Sequence, residues 1–553
     1  MREPQNFMTA FERVVHIGNV RRSDRKVIIL PFNEEYNEYS DENLPSLIFS
    51  MKGSEYLANM LMVVNHKSNS SDCKEFDLII HQFVGPDVES NLPKYLDRWN
   101  SCSQQFENDA NLFPHDMTNL FGKTLRVACF TYKPYALLDI DTAIEPLGRD
   151  GVEIRIVDEF CRWVNCTVEV VREDVDQWGE IYKNESGGIG VIGSVVEDRA
   201  DLGITALYSW YEEYRVMDFS VAGVRTAITC IAPAPRLLSS WEMPLMPFTW
   251  YMWLAVVFTY FYASTGILTA QGCNSSSYPF LNTFGMMIGQ SQYEGKPSWK
   301  IRSVTGWLLI AGLILSSAYG AGLASTFTVP RYEPSIDTVQ DIVDRKMEWG
   351  ATHDAWIFSL TLSTEPLVKE LVSQFRIYSF DELKQKSFTR SMAYSIEKLP
   401  AVWEHGRTYE EGRRVDQLEV GNFAIGEYVT QEAILDMMVM LEDFYYEQCV
   451  VMMRKSSPYT EKVSQLIGRL HQSGLLLAWE TQVALKHLNY KVQVEVRLSR
   501  SKNDVGTTKA LNLGNVMGIF IVYAIGLMVS IATFLGELYA YHRKQKQERI
   551  HVD

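Results

Sequence analysis

The sequence predicts a multi-domain membrane protein in which a two-lobed α/β domain is split along the chain by an α-helical membrane segment. Three observations carry this prediction. Three long stretches contain no charged residue, alternating strand and helix patterns stand on both sides of the first two stretches, and 553 residues suffice for several domains.

The composition limits the classes of protein to consider. Hydrophobic residues make up 46% and charged residues 22% of the chain, as in globular proteins, which excludes disordered and fibrous chains. The net charge is −16. Because phosphate binding needs a basic face, we exclude nucleic acid as a partner.

Three stretches are long enough to cross a bilayer, which takes about 20 predominantly apolar residues. They cover residues 248–271, 303–329 and 511–536. A buried helix of a large soluble domain is the alternative, but such helices rarely stay uncharged beyond about 15 residues. We therefore predict three transmembrane spans in contact with membrane lipid.

Basic residues near the ends of the spans predict the orientation. Residues 537–553 follow the third span and carry four Lys or Arg side chains, so we expect a cytosolic tail in the plasma membrane. An odd number of spans then places the N-terminal part outside the cell. Residues 1–26 lack the apolar run of a signal peptide, and we expect either a true start upstream or a later translocation signal.

Residues 278–291 form a shorter uncharged segment between the first two spans. This segment suits a re-entrant pore loop, because irregular backbone at membrane depth must line water or lie buried in protein. An amphipathic surface helix is the alternative. Gly289 and Gln290 at the tip carry no charge, which predicts weak selectivity among monovalent cations, and Glu294 adds negative charge near the cytosolic side.

Strand and helix patterns alternate over residues 121–240 and again over 331–509, and we interpret these portions as two ligand-binding lobes, S1 and S2. Residues 1–120 form a short extracellular region before them. The patterns that carry this interpretation are the strands LRVACF, CTVEVV, MEWGAT, NFAIG and EQCVVMMR, the helix in GVIGSVVEDRADLGIT, a helix with apolar spacing at Ile154, Val157, Phe160 and Trp163, and a long helix over Val463–Trp479.

Several motifs in this order are similar to those of the ionotropic glutamate receptors. Residues 318–329 resemble that family's gate motif SYTANLAAFLTV, residues 190–201 resemble GMVGELVYGKAD, residues 218–220 match DFS, and residues 133–135 resemble EPY. The resemblance implies a periplasmic-binding-protein-like ligand-binding domain and a channel gate on the second span. The residues that it assigns to the gate are Tyr319, Ala321, Leu323 and Ala324.

Departures from the family pattern change the expected ligand. In glutamate-binding members an Arg five residues before DFS clamps the ligand's carboxylate, whereas this chain has Glu213 there and Arg215 two residues later. The hydroxyl-bearing turn of the second lobe corresponds to residues 354–357, which carry no hydroxyl, and the acid that pairs with the ligand's amine corresponds to Glu427. Because Glu213 repels an anion, the resemblance implies a poor glutamate site.

The branch of the family follows from the same departures. A short region before S1 and a degenerate glutamate site resemble the variant ionotropic receptors of arthropod chemosensory neurons. The resemblance implies a ligand-tuning subunit that joins a family co-receptor in a heterotetramer, in the dendrite of a sensory neuron.

The expected cleft favours a cationic or neutral small molecule. Its aromatic residues are Tyr135, Tyr208, Trp210 and Trp356. Together with Glu213 they offer ion pairing and cation–π attraction to a protonated amine. The alternative is that Glu213 pairs with Arg215 or with a surface lysine.

The segments predicted to lie outside the cell also contain cysteines and glycosylation sequons. Seven of the eight cysteines lie in segments predicted to be outside, so at least one thiol stays free or pairs between chains. We interpret Cys161 and Cys166 as parts of a helix face and a strand start, and S2 contains only Cys449, so the disulfide that the family carries there is expected to be missing. The expected glycosylation sites are Asn69, Asn165 and Asn184.

No catalytic motif stands in a suitable context, and no cysteine or histidine spacing fits zinc, so we expect neither an enzyme nor a cofactor. Three functions remain. The first is a chemosensory, ligand-gated, non-selective cation channel subunit. The second is a glutamate-gated synaptic subunit, against which Glu213 argues. The third is a non-conducting membrane receptor, against which the re-entrant segment and the gate motif argue.

Overall fold

The computed structural model describes most of the chain in two compact units, residues 1–233 with 336–499 and residues 234–335 with 500–553. The described residues are 4–17, 25–30, 44–51, 54, 57–66, 73–86, 91–115, 117–182, 187–236, 243–270, 277–290, 299–328, 332–404, 409–410, 413–414, 418–426, 430–500 and 513–550. Four residues with predicted roles lie outside these ranges: Asn69, Asn184, Glu294 and Glu427.

The first unit begins with a five-stranded sheet in the order β1-β2-β3-β4-β5, in which β1 pairs parallel and the other strands pair antiparallel. Its elements are α1 (Pro4–Ile17), β1 (Lys26–Ile29), α2 (Leu44–Phe49), β2 (Asn59–Asn65), β3 (Glu75–His81), β4 (Pro93–Asn100) and β5 (Gln105–Phe106). A disulfide between Cys73 and Cys102 joins the segments that flank β3 and β4.

The S1 sheet also has five strands, in the order β7-β6-β8-β19-β9. Its elements are β6 (Lys123–Cys129), α3 (Val152–Val164), β7 (Cys166–Arg172), α4 (Gly190–Val196), β8 (Leu202–Gly203), α5 (Tyr211–Val216), β9 (Met217–Phe219) and β19 (Met452–Arg454). The predicted strands at β6 and β7 and the predicted helix α3 are confirmed. Ile154, Val157 and Phe160 are buried as their helical spacing required.

The S2 sheet has seven strands in the order β12-β11-β13-β10-β17, with β16 on β13 and β18 on β10. The strands are β10 (Val224–Pro233), β11 (Trp349–Ala351), β12 (Phe375–Ile377), β13 (Ala393–Glu404), β16 (Leu418–Ile425), β17 (Met437–Val439) and β18 (Tyr445–Cys449), and a separate hairpin holds β14 (Tyr409–Glu410) and β15 (Arg413–Arg414). The helices are α9 (Val339–Asp344), α10 (Phe358–Thr361), α11 (Pro366–Ser373), α12 (Phe380–Lys386), α13 (Gln431–Ile434), α14 (Thr460–Ser473), α15 (Leu475–His487) and α16 (Tyr490–Leu498), and a 3₁₀ turn covers Asp354–Ile357.

The prediction of one strand over EQCVVMMR was wrong, because the chain crosses between the lobes inside it. Strand β18 ends at Cys449 in the S2 sheet, and β19 begins at Met452 in the S1 sheet. Between them, the Val450 N–H donates to the Leu207 carbonyl and the Val451 N–H donates to the Ser220 hydroxyl, both in the S1 portion. The residues that join the two strands are apolar because they are buried in this crossover.

The prediction of one helix over Val463–Trp479 was also wrong. Gly474 has a φ of 73° and ends α14, and α15 begins at the next residue. Left-handed backbone interrupts an α-helix, and glycine adopts it with little steric cost.

The second unit contains helices α6 (Trp250–Ala270), α7 (Ser277–Met287), α8 (Trp299–Thr328) and α17 (Leu513–Ile550). Three of them are long and apolar enough to cross a membrane, over Trp250–Thr269, Trp299–Thr326 and Met517–Arg543. Helix α7 has 11 residues and packs against α6 and α8 through Ile267, Met286 and Leu308. Helix α17 continues through most of the predicted tail, because no proline or glycine breaks it after Gly536.

Candidate functional site

A cavity of about 320 Å³ lies between α5 of S1 and α10 of S2. Its wall includes Trp210, Glu212, Glu213, Arg215, Phe358 and Thr361. Three residues expected in the ligand cleft, Trp210, Glu213 and Arg215, are thus brought together here. Both lobes thus supply residues to the wall of this cavity.

Glu213 is buried in the cavity wall without a basic partner. Its side chain is 6% exposed, and among the described residues no Lys, Arg or His forms an ion pair with it. The guanidinium of Arg215 instead pairs with Glu212, at 2.9 Å from Nη1 to Oε2. Burial, with a smaller contribution from the charge of Glu212, raises the pKa of Glu213.

The two lobes are also joined by a hydrogen bond between buried groups. The Tyr208 hydroxyl in S1 donates to Oε1 of Glu397 on β13 in S2. Glu397 is 2% exposed, and burial raises its pKa to about 7, while the Tyr208 hydrogen bond opposes that shift. Sequence reasoning missed Glu397. The only signal was one acidic residue inside the apolar strand AYSIEKL.

Glu153 holds the turn that leads to Tyr208. Its Oε2 accepts the N–H groups of Thr205 at 2.5 Å and Ala206 at 2.9 Å. Both residues have left-handed backbone, with φ of 100° and 50°, which is strained for non-glycine residues. Glu153 therefore acts as a positioning residue for Tyr208, and the sequence analysis did not identify it.

Tyr135 and Trp356 lie in the core rather than in the wall of the cavity. Tyr135 is 0% exposed and its ring stacks on Tyr132 at 5.7 Å between centroids. Trp356 is 5% exposed, and its carbonyl accepts the Tyr445 hydroxyl at 2.5 Å. The structure does not bring these two residues together with Glu213 in the cavity.

A further contact between the lobes involves His353, which precedes the 3₁₀ turn. Its ring lies 5.5 Å from the ring of Trp178 in S1, and its Nδ1 accepts the Ala355 N–H at 3.0 Å. Trp178 in turn donates from Nε1 to the Thr205 carbonyl at 2.9 Å. His353 and Trp178 thus extend the contact that Tyr208 and Glu397 make, and neither was identified from the sequence.

Three buried carboxyl groups in this region predict a pH-dependent stability. Burial raises the pKa of Glu153 to about 7, of Glu397 to about 7 and of Glu480 to about 8, from 4.5. A group with a higher pKa when folded binds protons more strongly in the folded state, so its contribution to the free energy of unfolding falls as pH rises from about 4.5 through the folded pKa.

We therefore expect the melting temperature of the full chain to be higher at pH 6 than at pH 8, as measured by differential scanning fluorimetry. Glu397→Gln should reduce this difference in melting temperature, because glutamine is neutral at both pH 6 and pH 8. Glu212→Gln is the control, because the Glu212 side chain is 59% exposed. If the melting temperatures of wild type and Glu397→Gln depend equally on pH, the raised pKa of Glu397 does not contribute to the pH-dependent stability.

In the second unit, the residues of the gate motif lie in the last turns of α8. The Tyr319 hydroxyl donates to the Pro244 carbonyl at 3.0 Å, and its ring packs on Phe248 at 5.6 Å. Ala321 and Ala324 are exposed, and Leu323 is half-buried. The side chain of Tyr319 thus connects α8 to the segment that precedes α6.

The tip of the predicted re-entrant segment follows the end of α7. Gly289 has a φ of 77°, and the Gln290 N–H donates to the Gly285 carbonyl at 2.8 Å. Both residues are exposed. The left-handed glycine turns the chain away from the helix axis, which presents Gln290 at the end of the helix.

The structure corrects the interpretation of Cys161 and Cys166. They lie on α3 and at the start of β7 as predicted, and they form a disulfide with each other. Asn165, the predicted glycosylation site between them, is exposed, and its Nδ2 donates to Asn119 Oδ1 at 3.0 Å. Cys449 in S2 is a buried free thiol.

The sequence matches two family descriptions that together cover most of S1, the first two membrane helices, S2 and the first part of the third membrane helix. "Ligated ion channel L-glutamate- and glycine-binding site" matches residues 123–236, and "Ligand-gated ion channel" matches residues 249–527, just over half of the chain. The first match begins at the start of β6, the second begins one residue before α6, and the second ends inside α17.

Curated relatives share low identity over most of this chain. Glutamate receptor ionotropic, delta-1, of Homo sapiens is 22% identical over 78% of this chain and 43% of its own length. Ionotropic receptor 21a of Drosophila melanogaster is 20% identical over 88% of this chain and 59% of its own length. Glutamate receptor ionotropic, kainate 1, of Rattus norvegicus is 24% identical over 82% of this chain and 47% of its own length.

The chain thus spans about half the length of the curated relatives it matches. The predicted fold class, a two-lobed ligand-binding domain with a helical channel segment, is confirmed by both family matches. The chain belongs to the ligand-gated ion channel family of the ionotropic glutamate receptors.

Proposed function

We propose that this chain is a subunit of a ligand-gated, weakly selective cation channel that detects external chemicals. The observation that carries the proposal is the cavity at α5 and α10, which is lined by buried Glu213. By the sequence resemblance, Glu213 stands at the position of the family's carboxylate clamp. A ligand that contacts both lobes stabilises their closed arrangement by its differential affinity for that state. In this proposal, closure of the lobes opens the gate at Tyr319, Ala321, Leu323 and Ala324.

The chemosensory role is the more specific part of the proposal. Glu213 disfavours glutamate, and the match to Ionotropic receptor 21a supports the variant branch. The chain would then work as a tuning subunit with a family co-receptor in a heterotetramer. Its place would be the plasma membrane of a sensory dendrite, with the N-terminal part outside and the C-terminus in the cytosol.

The proposed ligand is a small molecule that is neutral or positively charged. The aromatic residues around the cavity favour an apolar body, and the carboxyl groups in its wall disfavour an anion. A glutamate-gated synaptic subunit and a non-conducting receptor are the alternative functions, and both are outcomes of the experiment below.

The test is to co-express the full chain with a family co-receptor and to record whole-cell current during application of a chemical panel. Amines or neutral odorants should evoke an inward current that neither subunit gives alone. A current evoked by glutamate and not by the panel would identify a glutamate receptor subunit. Surface expression without any current would favour a non-conducting receptor.

A charge at the tip of α7 should change the selectivity of the proposed pore. Gln290→Arg places a positive charge at a position that is uncharged and exposed. Because the charge repels divalent cations more than monovalent ones, we expect calcium permeability and polyamine block to fall while sodium and potassium still permeate. Reversal potentials in bi-ionic solutions measure this, with Gln290→Asn as the control. An unchanged calcium permeability would place Gln290 outside the pore.

A further inference from the structure

The residues around the cavity between α5 and α10 allow the class of its ligand to be narrowed further. We propose that it binds an organic cation with an aromatic or branched apolar body, and that Glu213 receives the positive charge. The inference rests on the proposed function, because it names the ligand class and places the ligand in this cavity rather than among Tyr135 and Trp356. Its support comes from the size, the charge and the aromatic lining of the cavity.

The size of the cavity suits a small organic molecule. Its volume of about 320 Å³ stands at the lower end of the range for ligand pockets, about 300–1,000 Å³. Trp210 and Phe358 form an aromatic corner in its wall, with ring centroids 5.3 Å apart and planes at 70°. An apolar body is favoured against this corner, since contact there removes aromatic surface from water.

The charge of the wall favours a cation. Three carboxyl groups, those of Glu180, Glu212 and Glu213, stand against one guanidinium, that of Arg215. The Arg215 guanidinium already pairs with Glu212, whereas Glu213 is more deeply buried and has no ion partner among the residues that the structure describes. A buried carboxylate is costly unless it is paired, so an incoming cation gains more at Glu213 than at an exposed acid.

The aromatic lining of the wall adds to this preference. Trp210 lines the cavity, and its ring centroid lies 5.3 Å from that of Phe358. The face of an indole ring attracts a nearby cation, so Trp210 favours a ligand whose positive charge lies next to its ring.

The second lobe adds one polar contact. The Thr361 hydroxyl donates to the Phe358 carbonyl at 2.7 Å, which leaves the oxygen free to accept a hydrogen bond from an ammonium group. Glu213 and Trp210 belong to S1, and Phe358 and Thr361 belong to S2. A cation held between them contacts both lobes and favours the arrangement in which the cavity exists.

The test is equilibrium binding to membranes that contain the full chain, which needs no channel activity. Tritiated 2-phenylethylamine is the probe, and its neutral and anionic analogues 2-phenylethanol and 3-phenylpropanoate are competitors. We expect the amine to bind, the alcohol to compete at least about tenfold more weakly, and the carboxylate not to compete. Failure of the amine to bind, or equal competition by the alcohol, would overturn the proposal.

Two variants separate recognition from folding. Glu213→Gln keeps the shape of the side chain and should weaken amine binding at least about tenfold, since it removes a charge-assisted contact. Glu159→Gln is the matched control, because Glu159 forms an exposed ion pair with Arg162 at the same i, i+3 spacing but outside the cavity wall, and its effect should stay below about fivefold. Equal losses in both variants would refute the role of Glu213.

Phe358→Leu keeps an apolar wall and the carboxyl groups, and should weaken the amine more than the alcohol because it removes the aromatic face. It provides a second readout if Glu213→Gln fails to reach the membrane. Amine binding without current would leave this inference standing and refute the proposed channel function. Current that is insensitive to Glu213→Gln and Phe358→Leu would refute this inference alone.

Discussion

Removing the carboxylate of Glu397 is expected to shift the ligand concentration for half-maximal current upward by about 10- to 100-fold. Glu397 accepts the Tyr208 hydroxyl across the two lobes, and both residues are almost fully buried. A hydrogen bond to a charged group contributes about 1.5–3 kcal/mol, and each 1.4 kcal/mol corresponds to about a tenfold change in an equilibrium constant. Glu397→Ala loses this bond and leaves the Tyr208 hydroxyl buried without an acceptor.

Tyr208→Phe tests the same bond from the other lobe. In a double-mutant cycle with Glu397→Gln, the combined shift should be smaller than the sum of the single shifts, because both remove one interaction. Tyr445→Phe is the matched control. It also removes a buried tyrosine hydroxyl, but that hydroxyl donates to the Trp356 carbonyl within S2.

Concentration–response curves from cells that co-express the family co-receptor measure all five variants, including the double variant of the cycle, and surface labelling corrects for expression. An equal shift in Tyr445→Phe would indicate a general loss of packing. Strict additivity of Tyr208→Phe and Glu397→Gln would show that the two residues do not act as one contact during closure.

Adding a side chain at Gly312 is expected to abolish current. A Cβ built at this position of α8 lies 2.4 Å from the Met286 carbonyl oxygen and 3.2 Å from the Met287 Cα, both on the backbone of α7. Backbone atoms cannot turn away as a side chain can, so α7 and α8 must separate. Overpacking of this kind costs about 1–3 kcal/mol or more of stability. Because valine is larger than alanine, Gly312→Val should destabilise the packing of α7 on α8 more than Gly312→Ala.

Gly306→Ala is the control in the same helix, because a Cβ built there meets nothing within 4 Å. Alanine favours helix over glycine by about 1 kcal/mol, so this variant should express at least as well as wild type. Surface biotinylation and whole-cell current are the measurements. If Gly312→Ala gives the same surface expression and the same current as Gly306→Ala, α7 and α8 do not pack this closely in the membrane.

Local patterns in the sequence predicted individual elements well. The strand at β6, the helix α3 and the strand at β7 follow from apolar runs and helical spacing, which depend on neighbours a few positions away. Gly474 was the local signal for the end of α14, and it was overlooked because the apolar pattern continues through Leu475 into α15. A glycine can be accommodated inside a helix, so the pattern alone did not determine the break.

The candidate site was predicted only in part. Glu213, Trp210 and Arg215 lie close together in sequence around one short helix, so the motif placed them in the same region. Tyr135 and Trp356 were selected for their aromatic character, but the structure buries them in the core. Whether an aromatic side chain lines a cavity or fills the core depends on what packs over it, and sequence pattern carries no such information.

By itself the sequence determined the three apolar helices, because an uncharged run of sufficient length is a local property that the bilayer selects. It also determined the motifs that identify the family. Only the tertiary structure decided which distant groups meet. Tyr208 and Glu397 are 189 residues apart, and they meet because β10 and β13 pair in one sheet while the chain crosses back to S1 between β18 and β19. Long-range strand pairing depends on the packing of the whole sheet, which no local stretch of sequence specifies.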